Sequence, residues 1–266
     1  MSNSLEPANA LEVDVTTHGR LPGAADYARS KISEIVGVTR LPVLHARVRL
    51  TRHPDPAVRQ PVVAQANLDV DGRLVRAQVE AATAREAVDR LDDRLRRRLE
   101  KTSGHWEARR GRQPEAVPHK WRRQSEATRR PSYFPRPADD RQIIRRKSFT
   151  LAACTVDDAA REMELLDYDF HLFTEKGTGI ASVLYHDDSG YRLAQVIAVS
   201  PDQLAPFELP LTFSSQSAPC ITVEQATERL GILGLPFLFF IDAAQGRASV
   251  LYRRIDGHYG LISPAG

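Results

Sequence analysis

The sequence predicts an α+β protein: an N-terminal β-α-β-β-β-α domain, a long basic linker, and two tandem small β-α-β-β-β repeats. Three observations lead there. Apolar residues of the first hundred positions switch between a period of two and a period of three to four. A proline-broken basic stretch without apolar periodicity follows, and beyond it one unit recurs after about 67 residues. The boundaries read as a domain over 1–101, a linker over 102–145, a first repeat over 146–197, a short connector over 198–210 and a second repeat over 211–266.

In order, Leu11, Val13 and Val15 alternate with Glu12, Asp14 and Thr16, the pattern of a half-buried strand. Pro22 and Gly23 punctuate the chain, and Ala24, Ala28, Ile32 and Ile35 then recur at helical spacing, predicting a helix from about Pro22 to Val36. Leu44, Ala46, Val48 and Leu50 alternate with His45, Arg47, Arg49 and Thr51, and Val62 to Val70 alternate in the same way. Asp71-Gly72 is a hairpin signal, after which Val75, Ala77 and Val79 alternate with Arg76, Gln78 and Glu80. Thr83 followed by Glu86 has the form of a capping box and opens a last helix. On that helix Ala84, Val88, Leu91, Leu95 and Leu99 form an inner stripe, while Arg90, Arg94, Arg97, Arg98 and Lys101 form a second one. The order implies an antiparallel-rich sheet with both helices on one face and the other face open.

Charge is distributed unevenly. Residues 1–100 hold 16 basic and 14 acidic groups, 101–147 hold 14 and 5, and 148–266 hold 7 and 15, so the net charges are +2, +9 and −8. Attraction to a polyanion therefore belongs to the first half. The open sheet face would carry His45, Arg47, Arg49 and Arg76, continued by the helix cations and extended by His18, Arg20 and Lys31. Each cation alone also fits a solvated surface; together they form a surface suited to phosphates. In the linker, Pro114, Pro118, Pro131, Pro135 and Pro137 break any helix, and arginines interleave with Trp106, Trp121, Tyr133 and Phe134. That mixture suits unpaired RNA, and equally a charged tether spanning roughly 35–40 Å.

Met1 to Leu11 lack the apolar core of a signal peptide, and no run approaches the roughly 18 apolar residues of a membrane helix, so a cytoplasmic protein without a membrane partner is expected. Cys154 and Cys220 stand at nearly equivalent positions of the repeat and read as small buried residues. No nucleophile elbow or phosphate-cradling glycine loop is present, and His18, His45, His105, His119 and His171 lack ligand spacing. Neither an enzyme, a cofactor, a metal nor a small-molecule substrate is expected.

The repeat is marked by Thr155-Val156, Ala159, Leu166, Phe170, Phe173, Gly179 and Tyr185, which return as Thr222-Val223, Ala226, Leu233, Phe237, Phe240, Gly246 and Tyr252. Within it, Phe237 to Phe240, Ser249 to Arg254 and Asp256-Gly257-His258-Tyr259-Gly260-Leu261-Ile262 resemble the C-terminal domain of long-form ribosome hibernation promoting factors. Arg145-Arg146-Lys147-Ser148-Phe149 and Thr155 to Phe173 resemble the start of the same domain. The N-terminal element order with its basic last helix is similar to that family's ribosome-binding domain, including its cold-shock and ribosome-associated inhibitor members.

The resemblance implies binding of the small ribosomal subunit, through its RNA and proteins, near the decoding centre. There the domain would exclude messenger and transfer RNA, inhibit translation and preserve idle ribosomes in dormancy, stress or stationary phase. Carried over by position, ribosomal RNA contacts fall on Lys31, Arg90, Arg94, Arg97, Arg98 and Lys101, to which charge and geometry add His18, Arg20, Arg47, Arg49 and Arg76. Self-association falls on Phe170, Phe173, Val183 and Tyr185 and on Phe237, Phe239, Val250 and Tyr252, some of which also fit plain core. The departure from the family is the duplication. Two copies in one chain meet at an effective concentration on the order of millimolar, which favours pairing within the chain over pairing with another copy. The alternative is a general nucleic-acid-binding or transcription-modulating protein.

Overall fold

The computed structural model describes residues 13–39, 42–55, 57–109, 136–187 and 190–265. The expectations placed on Leu11 and Glu12, and on linker residues 110–135 with Trp121, Tyr133 and Phe134, lie outside the described residues. The chain divides into two compact units, one holding a four-stranded sheet with two helices and one holding both repeats.

The first unit runs β1 (Val13–His18), α1 (Ala24–Val38), β2 (Val43–Arg52), β3 (Val62–Val70), β4 (Arg73–Ala81) and α2 (Ala84–Arg109). Its strands lie in sequence order, β1 parallel to β2 and the rest antiparallel. The parallel pair needs a crossover, which α1 provides. Ala46, Val48 and Leu50, Ala64, Ala66 and Leu68, and Val75 and Ala77 pack against Ala28, Ile32 and Ile35 of α1 and Val88, Leu91 and Leu95 of α2, none more than 2% exposed. Burying each larger side chain in this set contributes on the order of 1.5–3 kcal/mol. Asp71 (φ 52°) and Gly72 (φ 78°) are both left-handed, the geometry of a tight hairpin that follows strand twist.

Two details differ from expectation. A bulge between Val43 and His45 turns Val43 inward and leaves Leu44 60% exposed, so Leu44 is not part of the inner row. Helix α2 continues past Lys101 to Arg109, shortening the stretch read as linker from its N-terminal end. At its start Thr83 Oγ1 accepts from Glu86 N at 3.2 Å, while the Glu86 carboxylate accepts from Ala82 N at 3.2 Å, one residue before the cap.

The second unit contains β5 (Ile143–Phe149), β6 (Ala153–Cys154), α3 (Val156–Leu165), β7 (Phe170–Glu175), β8 (Ala181–Asp187) and β9 (Gly190–Gln195), then β10 (Leu211–Phe213), β11 (Cys220–Ile221), α4 (Val223–Leu233), β12 (Phe237–Asp242), β13 (Arg247–Arg253) and β14 (Tyr259–Pro264). It forms two five-stranded sheets, ordered β10-β9-β8-β7-β6 and β11-β12-β13-β14-β5. The leading strands are traded. β5 of the first copy runs parallel to β14 of the second, and β10, which leads the second copy, runs parallel to β9 of the first. Helix α3 covers one face of the first sheet and α4 one face of the second, each over its own apolar core. Between the two sheets lies a third core of Leu172 and Val183 from the first copy with Phe239, Ala248 and Val250 from the second. Cys154 is half-buried, where burial followed by the nearby carboxylates of Glu162, Asp158 and Glu175 pushes its thiol up to about 11; Cys220 is exposed, contrary to expectation.

Candidate nucleic-acid interface

Because α1 and α2 cover one face of the first sheet, side chains that alternate away from the core form the other. Register arranges them in rows: Asp14, Arg47, Asn67 and Arg76, then Thr16, Arg49, Gln65 and Gln78. Arg47 and Arg49 stand roughly 7 Å apart along β2, and Arg76 stands two strands away, about 10 Å. The acids sit at the margins. Asp14 pairs with Arg47 at 2.9 Å on edge strand β1, while Asp69 and Glu80 lie in the outer rows. The centre is thus arginine and amide: Arg76 donates to Gln78 Oε1 at 2.8 Å and to Gln65 Oε1 at 3.4 Å. Guanidinium groups suit phosphate oxygens, and side-chain amides both donate to and accept from sugars and base edges. His18 ends β1 opposite Thr51, and the exposed Arg20 follows it in the turn.

The helix cations occupy a second surface. Helix α2 returns along β4 after a short turn, and Arg90 donates to the Glu80 carbonyl at 2.8 Å on the free edge of that strand, while also pairing with Glu86 at 2.6 Å. Arg94 and Arg98 follow at intervals of four on the same flank, and Arg97 lies further toward solvent, its Nε donating to the Asp93 carbonyl at 3.3 Å. Lys101 belongs to α2, but its side chain lies outside the described residues. Arg90 and Arg97 continue the arginine face around the β4 edge, whereas Arg94 and Arg98 are both engaged by Asp167, at 2.6 and 2.5 Å.

Lys31 does not join them. It sits in the seam between α1 and the opposite flank of α2, 3.9 Å from Asp89, which also accepts from the Tyr27 hydroxyl. That bond, followed by burial and the Asp89 charge, raises the Tyr27 pKa. Sequence periodicity missed Gln65, Asn67 and Gln78, which only strand register places between the arginines. It also missed the exposed Arg52, whose Cβ would come within 3.2 Å of any side chain at Gly19.

Of the eight residues assigned to association, Phe170, Val183, Tyr185, Phe237, Phe239 and Val250 belong to the core between the sheets, and Tyr252 joins it through its ring, 5.7 Å from Phe170. Phe170 and Phe237 meet across the two copies at 4.8 Å, and Tyr185 meets Phe237 edge-on at 5.2 Å. Phe173 differs. Strand alternation turns it beneath α3 beside Val156, Ala160 and Met163, so it is core of the first copy, and Leu172 faces the second copy instead.

Comparison with known proteins fits this division. Residues 21–105 match the family model described as "Sigma 54 modulation protein / S30EA ribosomal protein". Residues 138–193 and again 214–261 match "Sigma 54 modulation/S30EA ribosomal protein C terminus". A "Dormancy associated translation inhibitor" of Mycobacterium tuberculosis (strain ATCC 25618 / H37Rv) is 36% identical over 233 residues, covering 83% of this chain and 77% of that protein. A "Ribosome hibernation promotion factor" of Picosynechococcus sp. is 23% identical over 177 residues, 64% of this chain and 88% of the relative. The solved N-terminal domain of Thermus thermophilus Protein Y is 22% identical, with a TM-score of 0.29, over 35% of this chain and 99% of that one. One N-terminal match, two C-terminal matches and the extended likeness to the mycobacterial protein show that the chain belongs to the S30EA / sigma 54 modulation family, as a long-form ribosome hibernation factor with its C-terminal domain in duplicate.

Proposed function

We propose that the first unit binds the small ribosomal subunit in its decoding region and blocks messenger and transfer RNA by occupying their space, so that translation stops and idle ribosomes are preserved. The observation that carries this reading is the sheet face left open by the helices, with Arg47, Arg49 and Arg76 around a centre of amides and the acids at its margins. Phosphate contacts supply affinity and orientation there, and the bulk of the domain supplies the block; no bond is made or broken. The names of the relatives, a translation inhibitor and a hibernation promotion factor, support the same reading. We assign ribosomal RNA contacts to His18, Arg20, Arg47, Arg49, Arg76, Arg90, Arg94, Arg97, Arg98 and Lys101, and give Lys31 a structural place between the helices.

The second unit serves association between its own two copies. Traded strands and the shared aromatic core satisfy within one chain the contacts that would otherwise recruit a second, so the protein silences single ribosomes without tethering two. Arg47→Glu, Arg49→Glu and Arg76→Glu together are expected to abolish co-sedimentation with small subunits while leaving the circular dichroism of the chain unchanged. Retained co-sedimentation overturns the assignment. Equal competition by unrelated free RNA points instead to a general nucleic-acid binder.

A further inference from the structure

The duplicated unit is symmetric in fold and asymmetric in charge. At the corner of the second sheet where β5 enters, Arg145, Arg146 and Lys147 lie on the edge strand, and Arg253 and Arg254 close β13 nearby. Arg253 is registered with Tyr259, itself registered with Ile143, which places it two strands, about 10 Å, from the start of β5. Arg136 joins the corner from the chain ahead of β5, its Nε donating to the Asp256 carbonyl at 3.2 Å. Asp256 is engaged by Arg254 through two nitrogens, at 2.8 and 3.1 Å.

Moving each of these positions by the repeat offset of about 67 residues gives the matching corner of the first sheet, where none of the six cations recurs and Arg192, registered with Thr212, pairs with Asp187 at 3.3 Å. Thr212, Phe213 and Ser214 replace the β5 triplet, His186 and Asp187 replace Arg253 and Arg254, and Gln203 replaces Arg136. Residues 148–266 carry 7 basic groups against 15 acidic ones, so two of their few arginines stand at this one corner. A solvated surface would not require both copies to differ at all six places in the same direction. Edge protection by charge would explain basic residues on β5 but not those on β13 or at Arg136.

From this asymmetry we infer that the corner formed by β5 and the β13–β14 turn is a second RNA-contacting surface, and that the corresponding corner of the first copy is not. The inference rests on the ribosome reading above only for its partner; the chemistry is phosphate recognition by clustered guanidinium groups. Two identical chains would have to present this surface twice. Fusion into one chain lets it appear once, on the copy that the linker sequence directly precedes, whose residues 110–135 hold 7 basic groups against 2 acidic ones, a net charge of 7 − 2 = +5.

The test uses the full chain in four forms: unchanged, with Arg145→Glu, Arg146→Glu and Lys147→Glu, with Thr212→Glu and Ser214→Glu as the mirror control, and with Arg145→Gln, Arg146→Gln and Lys147→Gln should glutamates unfold the strand. Affinity for purified small subunits and for an unstructured RNA 20-mer is measured across salt concentrations. Loss of about three phosphate contacts is expected to weaken binding at least tenfold and to make the logarithmic salt slope shallower by about 2, with the mirror control silent. An unchanged affinity and slope, an equal loss in the mirror control, or a loss of affinity without a change in slope, as an acidic protein partner would give, each overturns the inference. If the unchanged chain binds the 20-mer but not subunits, the ribosome reading fails while the corner is still judged by the 20-mer.

Discussion

Glu175 shows how much one side chain can hold in place. It is fully buried at the end of β7, where its carboxylate accepts from Gly177 N, Thr178 N and the Thr178 hydroxyl and, at 2.9 Å, from Ala205 N in the segment joining the two copies. Asp157, in the first turn of α3, holds the same segment through Glu208 N and Leu209 N. Gly177 is required at this crossing, because a Cβ there would lie 2.4 Å from Ala205 N. Burial alone would raise the Glu175 pKa, but the four donors outweigh it and hold the carboxyl below its ordinary 4.5. Its contribution to stability is thus full above that ordinary value and is lost as pH falls through the lower folded value. Amide exchange at Ala205, read by mass spectrometry, is expected to accelerate over that acidic window, and Glu175→Gln to accelerate it already at pH 7 with a loss of about 1–3 kcal/mol in urea unfolding. None of this was legible in the sequence, where Glu175 is one acid among many and the connector over 198–210 carries no periodicity.

Elements were legible to the extent that local chemistry determines them. The capping pair Thr83/Glu86, the Asp71-Gly72 turn and the inner stripe through Val88, Leu91 and Leu95 all appear where spacing places them. Leu44 and Phe173 were misplaced because a bulge and a shift of one residue in strand parity reverse a side chain's face, and neither leaves a compositional trace. Helix α4 closes the full capping box that α2 misses by one residue, Thr222 Oγ1 accepting from Gln225 N at 3.3 Å and Gln225 Oε1 accepting from Thr222 N at 3.0 Å. Thr222→Ala is expected to lower stability by about 1 kcal/mol in urea titration, with no effect on ribosome affinity. Phe237 contacts both Phe170 and Tyr185 across the copies, so Phe237→Ala is expected to lose about 3 kcal/mol, read as a lower thermal midpoint of the second unit.

At the scale of the whole molecule, the charge split between the two halves was plain in the sequence, whereas the trading of leading strands was not, since periodicity says which residues pair and never with which copy. With about five phosphates neutralised by the first unit, the logarithm of ribosome affinity is expected to fall against log salt with a slope on the order of −4, measurable by sedimentation in graded potassium chloride. Light scattering at micromolar concentration is expected to return the mass of one chain, 29.7 kDa, and a stable mass of twice that would refute pairing within the chain. The traded strands also make the duplication hard to undo. A stop codon before Tyr259 would remove β14 and with it the neighbour of β5, and deletion of the first copy would strip β10 of β9. A lineage that has fused the two halves therefore cannot discard either one gradually: each intermediate gene would encode a sheet missing its outermost member and a bare aromatic wall.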